Sequence, residues 1–151
     1  MLKSGRKYSA LYPIHNLTKA VRTINKVVFV ISYLYGGGAE RVTAALAGQI
    51  SQLKNWEVHL ITYQEDGDKE YPLHPNVVRH VMPRLTGGRV GNIRRRIGFL
   101  RNTIREISPC CVVSLGAAHV VGLLSLAMTG LRIPLILSER NDPARMPQSK
   151  L

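Results

Sequence analysis

The sequence predicts an α/β domain built as a Rossmann-like, doubly wound parallel sheet, and two observations predict it. Short apolar runs of strand length alternate with helical stretches along the 151 residues. Strands alternating with helices in this way make a parallel sheet covered on both faces. Finally, Gly36, Gly37 and Gly38 follow the first apolar run and lead straight into an amphipathic helix, the strand–turn–helix order of a ligand edge.

The elements follow in order. Residues 1–25, MLKSGRKYSALYPIHNLTKAVRTIN, are interrupted by charges and by Pro13 and lack the apolar core of a signal peptide; they read as a mobile basic extension. The first strand starts at Lys26 and runs to Tyr35, and the first helix begins by Ala39. Glycine permits a tight reversal with positive φ and leaves the backbone open to a ligand. A helix N-terminus offers unpaired N–H groups and a positive dipole end, so this loop suits a phosphate; it serves equally as a plain connecting turn. Neither familiar nucleotide loop is present. GxGxxG fails at Arg41, Ala39 or Glu40 according to the starting glycine, and no Gly-Lys-Ser or Gly-Lys-Thr follows.

WEVHLITY (56–63) is the second strand, QEDGDKEYPLHPN a polar acidic loop and VVRHVMP a short third strand. A basic helix covers 89–107. CCVVSL is the fourth strand, residues 118–129 the next helix, and IPLILSE (133–139) the fifth strand. Residues 107–131 contain no Asp, Glu, Lys or Arg, which is long enough to suggest a membrane span. Pro109, the β-branched strand and Gly116 divide that stretch into a buried strand and a buried helix instead.

The formal charge of +12 is concentrated. Lys3, Arg6, Lys7, Lys19 and Arg22 precede the first acid, Glu40. In the basic helix, Ile93, Ile97, Leu100, Ile104 and Ile107 form the core-facing stripe, while Arg94, Arg101 and Arg105 share one flank. That flank reads as a solvated face, or as a surface for an anionic membrane, a lipid-linked phosphate or nucleic acid. No helix-turn-helix, zinc finger or aromatic platform is present, so membrane association is the better use of the charge and no nucleic acid is expected. Adjacent Cys110 and Cys111 match no metal or disulfide spacing and fit a reducing, cytoplasmic setting. His15, His59, His74 and His80 show no metal pattern.

Ligands in such sheets bind beyond the carboxyl ends of the strands: here Gly36 to Gly38, residues 63–66, 115–119 and 138–142. His119 opens a helix there, where it either contacts a sugar hydroxyl or phosphate or is satisfied by local backbone. Glu139, Arg140 and Asp142 in SERNDP form either a ligand-edge constellation or a capped turn.

Together, KVVFVISYLYGGGAERVTAALAGQI, WEVHLITY and IPLILSERNDP resemble the N-terminal half of a glycosyltransferase family four enzyme, of the retaining GT-B class. The resemblance runs from Lys26 to Arg145 and is similar to the subgroup that builds bacterial surface polysaccharides and lipid-linked oligosaccharides. It implies an acceptor-side domain at 26–145, with a short tail at 146–151. It places Gly36, Gly37 and Gly38 by the donor diphosphate, His119 beside the reacting sugar, and Glu40, Arg41, Ser138, Glu139 and Arg140 along the cleft or acceptor side. The chain departs from the family pattern in its long basic extension, and Cys110 stands where an Asp is common. The resemblance further implies a donor-binding C-terminal Rossmann-like domain, in cis or in trans, which these residues do not include. The expected activity is hexose transfer from a nucleoside diphosphate sugar to a glycan or lipid-linked acceptor with retention. It needs no cofactor and no essential metal, it takes place in the cytoplasm or at the inner face of the membrane, and this chain alone is expected to be inactive. The competing expectation is a non-enzymatic basic module for anionic membranes or nucleic acid. A nucleotide-cofactor oxidoreductase is disfavoured by the failed fingerprint and by the lack of an acid closing the second strand.

Overall fold

The computed structural model describes residues 24–64, 67–84, 88–116 and 118–138. The readings placed on the basic extension before residue 24, and on Glu139, Arg140 and Asp142, lie outside those residues. The chain runs β1 (Asn25–Ile31), α1 (Gly38–Ile50), β2 (Trp56–Thr62), a 3-10 turn (Gly67–Lys69), β3 (Val77–Val81), α2 (Arg89–Ile107), β4 (Cys111–Ser114), α3 (Ala118–Met128) and β5 (Leu135–Leu137). All neighbouring strands are parallel, in the order β3-β2-β1-β4-β5. This is the Rossmann-like arrangement that the sequence predicts.

β1 is central and buried on both faces, which explains its unbroken apolar run. Val27, Phe29 and Ile31 pack with Ala44 and Ala47 of α1, and with Val58 and Leu60 of β2. Val28 and Val30 point the other way, toward Leu100, Ile104 and Ile107 of α2 and Val120, Leu124 and Ala127 of α3. One helix therefore covers one face and two cover the other. The α2 stripe ends where Ser108 turns left-handed at φ 52 and Pro109 follows, a stop that neither residue allows the helix to pass. The charge-free stretch from 107 to 131 is divided between β4 and the 11-residue α3. Among the described residues no helix is long and apolar enough to cross a membrane.

The end of the first strand needs correction. The predicted strand runs to Tyr35, but β1 stops at Ile31. Leu34 is fully buried in the core beneath the turn, and its carbonyl accepts a hydrogen bond from the Tyr71 N–H at 2.7 Å rather than joining the sheet. Residues 32–37 are therefore a pinned loop.

On the α2 side of β2 and β3 the register brings His59 and His80 together, with Nδ1 of His59 3.0 Å from Nε2 of His80. Nε2 of His59 lies 2.7 Å from the Glu57 carboxylate and donates to it. His80 Nε2–H then donates to the free Nδ1 of His59 when both rings are neutral; a second proton on each ring sets N–H against N–H. Burial, and then the neighbouring His59, hold His80 below its ordinary value, while Glu106 opposes them. The fold thus favours neutral His80, and its stabilising contribution is complete above the unfolded value near 6.5 and lost as pH falls through the lower folded value. Wild-type protein is expected to lose stability toward urea between pH 7 and pH 5, and His80→Gln to lose less; equal slopes for the two would remove the pair as the cause.

Candidate functional site

The strand order locates the site. The chain steps outward from β1 through β2 to β3, then returns to the opposite side of β1 as β4, so the order reverses between β1 and β4. That reversal opens a crevice at the carboxyl edge, where open α/β sheets bind ligands. Residues 32–37 flank it on the β1 side, and residues 115–116 with the start of α3 on the β4 side. Each helix that follows a parallel strand starts at this edge, so the N-termini of α1 and α3 face the crevice and that of α2 lies along the same rim.

The glycine loop is shaped by two anchors. The Ser32 carbonyl accepts the N–H groups of Tyr63 and Gln64 at 2.9 and 3.2 Å, tying the ends of β1 and β2 together. Leu34 supplies the second anchor from below. Of the three glycines only Gly36 is left-handed, at φ +80, where an L side chain is strained. Gly37 is extended and caps α1 without a side chain; its carbonyl accepts the Arg41 N–H at 3.2 Å. Gly38, the first helical residue, is exposed, and a Cβ there would meet nothing within 4 Å. A ligand thus has open access to backbone at Gly38.

Glu40 modifies that picture. A Cβ at residue 37 would collide with Oε2 of Glu40, so this carboxylate folds back over Gly37 at the positive end of α1. The helix terminus therefore already holds an internal anion. Arg41 is exposed beside it. Tyr33 and Tyr35, which bracket Leu34, hold their rings 4.5 Å apart between centroids.

Across the crevice, Ser114 is buried at the end of β4, and its carbonyl accepts the Ser138 N–H at 2.9 Å. Gly116 N–H lies 3.4 Å from Ser114 Oγ, and a Cβ at 116 would press on Val120 at 3.4 Å, so the turn into α3 is close-packed. His119 is the second residue of α3, with its backbone in the first turn on the crevice side. Ser138 follows β5, which places it on the same rim. The structure therefore brings Gly36, Gly37, Gly38, Glu40, Arg41, Ser138 and the His119 backbone to one edge.

The arginine flank divides. Arg94 and Arg105 are exposed on α2. Arg101 is half-buried and donates to the carbonyls of Ala127 and Thr129 at 3.3 and 2.7 Å, capping the end of α3. Its charge is engaged in holding α2 to α3.

Two rim interactions have no counterpart in the sequence reading. Arg79 of β3 forms a two-pronged pair with Glu70, at 2.5 and 2.8 Å, and also donates to Thr62 Oγ1 and the Gln64 carbonyl. Arg96 of α2 lies over the Tyr63 ring, with Cζ 5.5 Å from its centroid. Arg96 was legible: it falls four residues before the buried Leu100, on the flank of the apolar stripe, although Ile93 at the head of that stripe is exposed. Among the described residues no group of three or more His, Cys, Asp or Glu is disposed to hold a metal ion.

No protein-family model matches the chain, and no curated protein matches it. Solved structures do. The UDP-GlcNAc 2-epimerase of Methanocaldococcus jannaschii is similar over 74% of this chain and 30% of its own, with a TM-score of 0.52 and 14% identity. The C-terminal domain of a hydrogenase from Pyrococcus furiosus is similar over 78% of this chain and 93% of its own, at 0.50 and 12%. MurG of Acinetobacter baumannii is similar over 75% and 34%, at 0.49 and 16%. This chain spans about a third of the epimerase and of MurG. At these identities the likeness is one of fold, and what the chain shares with the epimerase and the hydrogenase domain is the Rossmann-like doubly wound sheet.

Proposed function

We propose that this chain is the N-terminal, acceptor-side half of a GT-B glycosyltransferase of family four. In this reading the intact enzyme moves a hexose from a nucleoside diphosphate sugar to a glycan or lipid-linked acceptor with retention. The observation that carries it is the placement of the GGAERV turn and Ser138, which begins SERNDP, on one rim across the topological switch point. Gly37 and Gly38 face the donor diphosphate, with Glu40 moving aside. Ser138, Glu139 and Arg140 line the acceptor side, and His119 stands beside the reacting sugar. A second Rossmann-like domain, in cis or in trans, grips the nucleotide. Closure of the two domains supplies orientation and diphosphate stabilisation, which neither half supplies alone. The sugar nucleotide is a substrate, and the reading calls for no resident cofactor.

The test is transfer of labelled hexose from a panel of nucleoside diphosphate sugars to lipid-extract acceptors, using the chain joined to a donor-binding domain. The expected product keeps the anomeric configuration of the donor, and Gly37→Val abolishes its formation. Inversion, or no transfer from any donor while the joined protein is folded, overturns the reading.

The exposed Arg94 and Arg105 favour a compatible second reading, a basic face that sits on anionic lipid at the inner leaflet. Binding to vesicles containing phosphatidylserine is expected to fall steeply with salt and to weaken several-fold in Arg94→Ala/Arg105→Ala. Unchanged binding by that variant would contradict it.

A further inference from the structure

We propose that Tyr63 and Arg96 form a subsite for a phosphate group of the acceptor, at the carboxyl end of β2 beneath the first half of α2. The inference rests on the glycosyltransferase reading for the word acceptor, and on this chain alone for the site.

Tyr63 directly follows β2, and its N–H is bonded to the Ser32 carbonyl, so it stands next to the switch-point loop. Its Oη is sealed from solvent and has no hydrogen-bond partner. The Arg96 guanidinium packs over the ring, and its Nε is likewise buried and unpaired. A buried polar group left unpaired is destabilising, so two such atoms on packed side chains call for an explanation. Water is a weak one, because the guanidinium also lacks a carboxylate: no ion pair to Arg96 exists among the described residues.

The chemistry left unsatisfied is of one kind. A phenol kept protonated is an O–H donor, and burial pushes Tyr63 up to about 12, with the nearby Arg96 only partly opposing it. Guanidinium offers N–H donors and no acceptor. Donors with a fixed positive charge and, among the described residues, no paired carboxylate fit an oxyanion, and the planar fork of arginine matches phosphate geometry. The surroundings agree: α2 carries no acid in its first turn and no side-chain cap, and its positive end lies on the same rim. Both side chains are half-buried, with the two unpaired atoms on their inward sides.

This site is separate from the glycine loop. The loop meets its ligand with backbone N–H groups on the α1 face of the sheet, whereas Tyr63 and Arg96 belong to the α2 face. A phosphate there anchors the acceptor rather than the donor.

Inorganic phosphate titrated into the chain reads the site directly, because the buried Arg96 Nε–H gives its own NMR signal. That signal and the Tyr63 ring resonances are expected to shift together. Affinity is expected to fall about tenfold in Arg96→Gln and in Tyr63→Phe, and to stay within twofold in Arg132→Gln, which removes the same charge at the other end of the sheet. Equal weakening by Arg132→Gln and Arg96→Gln would mean attraction to net charge only and overturn the subsite. So would binding of glucuronate in preference to phosphate. Geranyl diphosphate binding more tightly than inorganic phosphate assigns the phosphate to a lipid-linked acceptor; equal affinity assigns it to a soluble one. No nucleotide sugar enters this experiment, so the subsite stands or falls apart from the transfer assay.

Discussion

Leu34→Ala is expected to lower the unfolding free energy by about 2–5 kcal/mol and to loosen the glycine loop along with the fold. Leu34 is 0% exposed although it lies in a loop, and it packs among Val27, Phe29, Ile31, Ala44, Ala47 and Leu60. Its backbone carries the 2.7 Å bond from Tyr71, so the side chain and carbonyl together hold the turn against α1. Truncation leaves a cavity directly under Gly36 and Gly37, which the rigid sheet cannot close. Urea denaturation gives the stability change, and hydrogen exchange at residues 36–41 gives the loss of order. Leu34→Met, which conserves volume, is expected to cost less than about 1.5 kcal/mol. Equal stability of the alanine variant and the wild type would show that the loop is held by other contacts.

Glu70→Ala is expected to cost about 3–5 kcal/mol, because it removes the carboxylate that the buried Arg79 guanidinium grips with two hydrogen bonds. The side chains are 17% and 9% exposed for Arg79 and Glu70, so neither charge is well hydrated. The pair, with Thr62 and Gln64, closes the connection between β2 and β3 and positions the segment that bears Tyr71. The prediction is specific to a buried pair. Removing both charges in Glu70→Leu/Arg79→Met is expected to recover much of the loss, since the buried guanidinium is then removed together with its carboxylate. A double variant as unstable as Glu70→Ala would contradict this, and the cost would then lie in lost packing.

The order of elements was legible because hydrophobic periodicity is local. The stripe from Ile93 to Ile107 predicts α2 at 89–107, the bounds it has. The alternation of strands and helices predicts a sheet whose parallel order the structure shows. What was not legible depends on partners distant in sequence. SYLY has strand propensity, but β1 ends at Ile31, where Leu34 is buried in the core and its carbonyl is bonded to Tyr71, a partner distant in sequence. Helical spacing groups Arg101 with Arg94 and Arg105, but its acceptors are carbonyls of α3, which no spacing rule reveals. His59 and His80 are 21 residues apart and meet only through the register of β2 and β3. At the site, the glycine turn announced itself, whereas the return of the Glu40 carboxylate onto Gly37 is a side-chain geometry that the motif does not encode.

Glu40 also bears on ligand affinity. A carboxylate at the α1 N-terminus competes with any diphosphate for the same dipole end, so Glu40→Gln is expected to tighten nucleotide binding by the isolated chain several-fold.

The central claim, that the turn from Gly36 to Gly38 receives a nucleoside diphosphate, is tested most directly by titrating UDP, GDP and ADP into the isotopically labelled chain and following the backbone amides of residues 36–41. The account predicts that at least one of them shifts Gly37, Gly38 and Arg41 with an affinity of about 1–10 mM, and that Gly38→Val removes the response. If those amides stay fixed at about 10 mM of every nucleotide while the protein remains folded, the turn is a connection between β1 and α1 and the donor-side assignment is wrong.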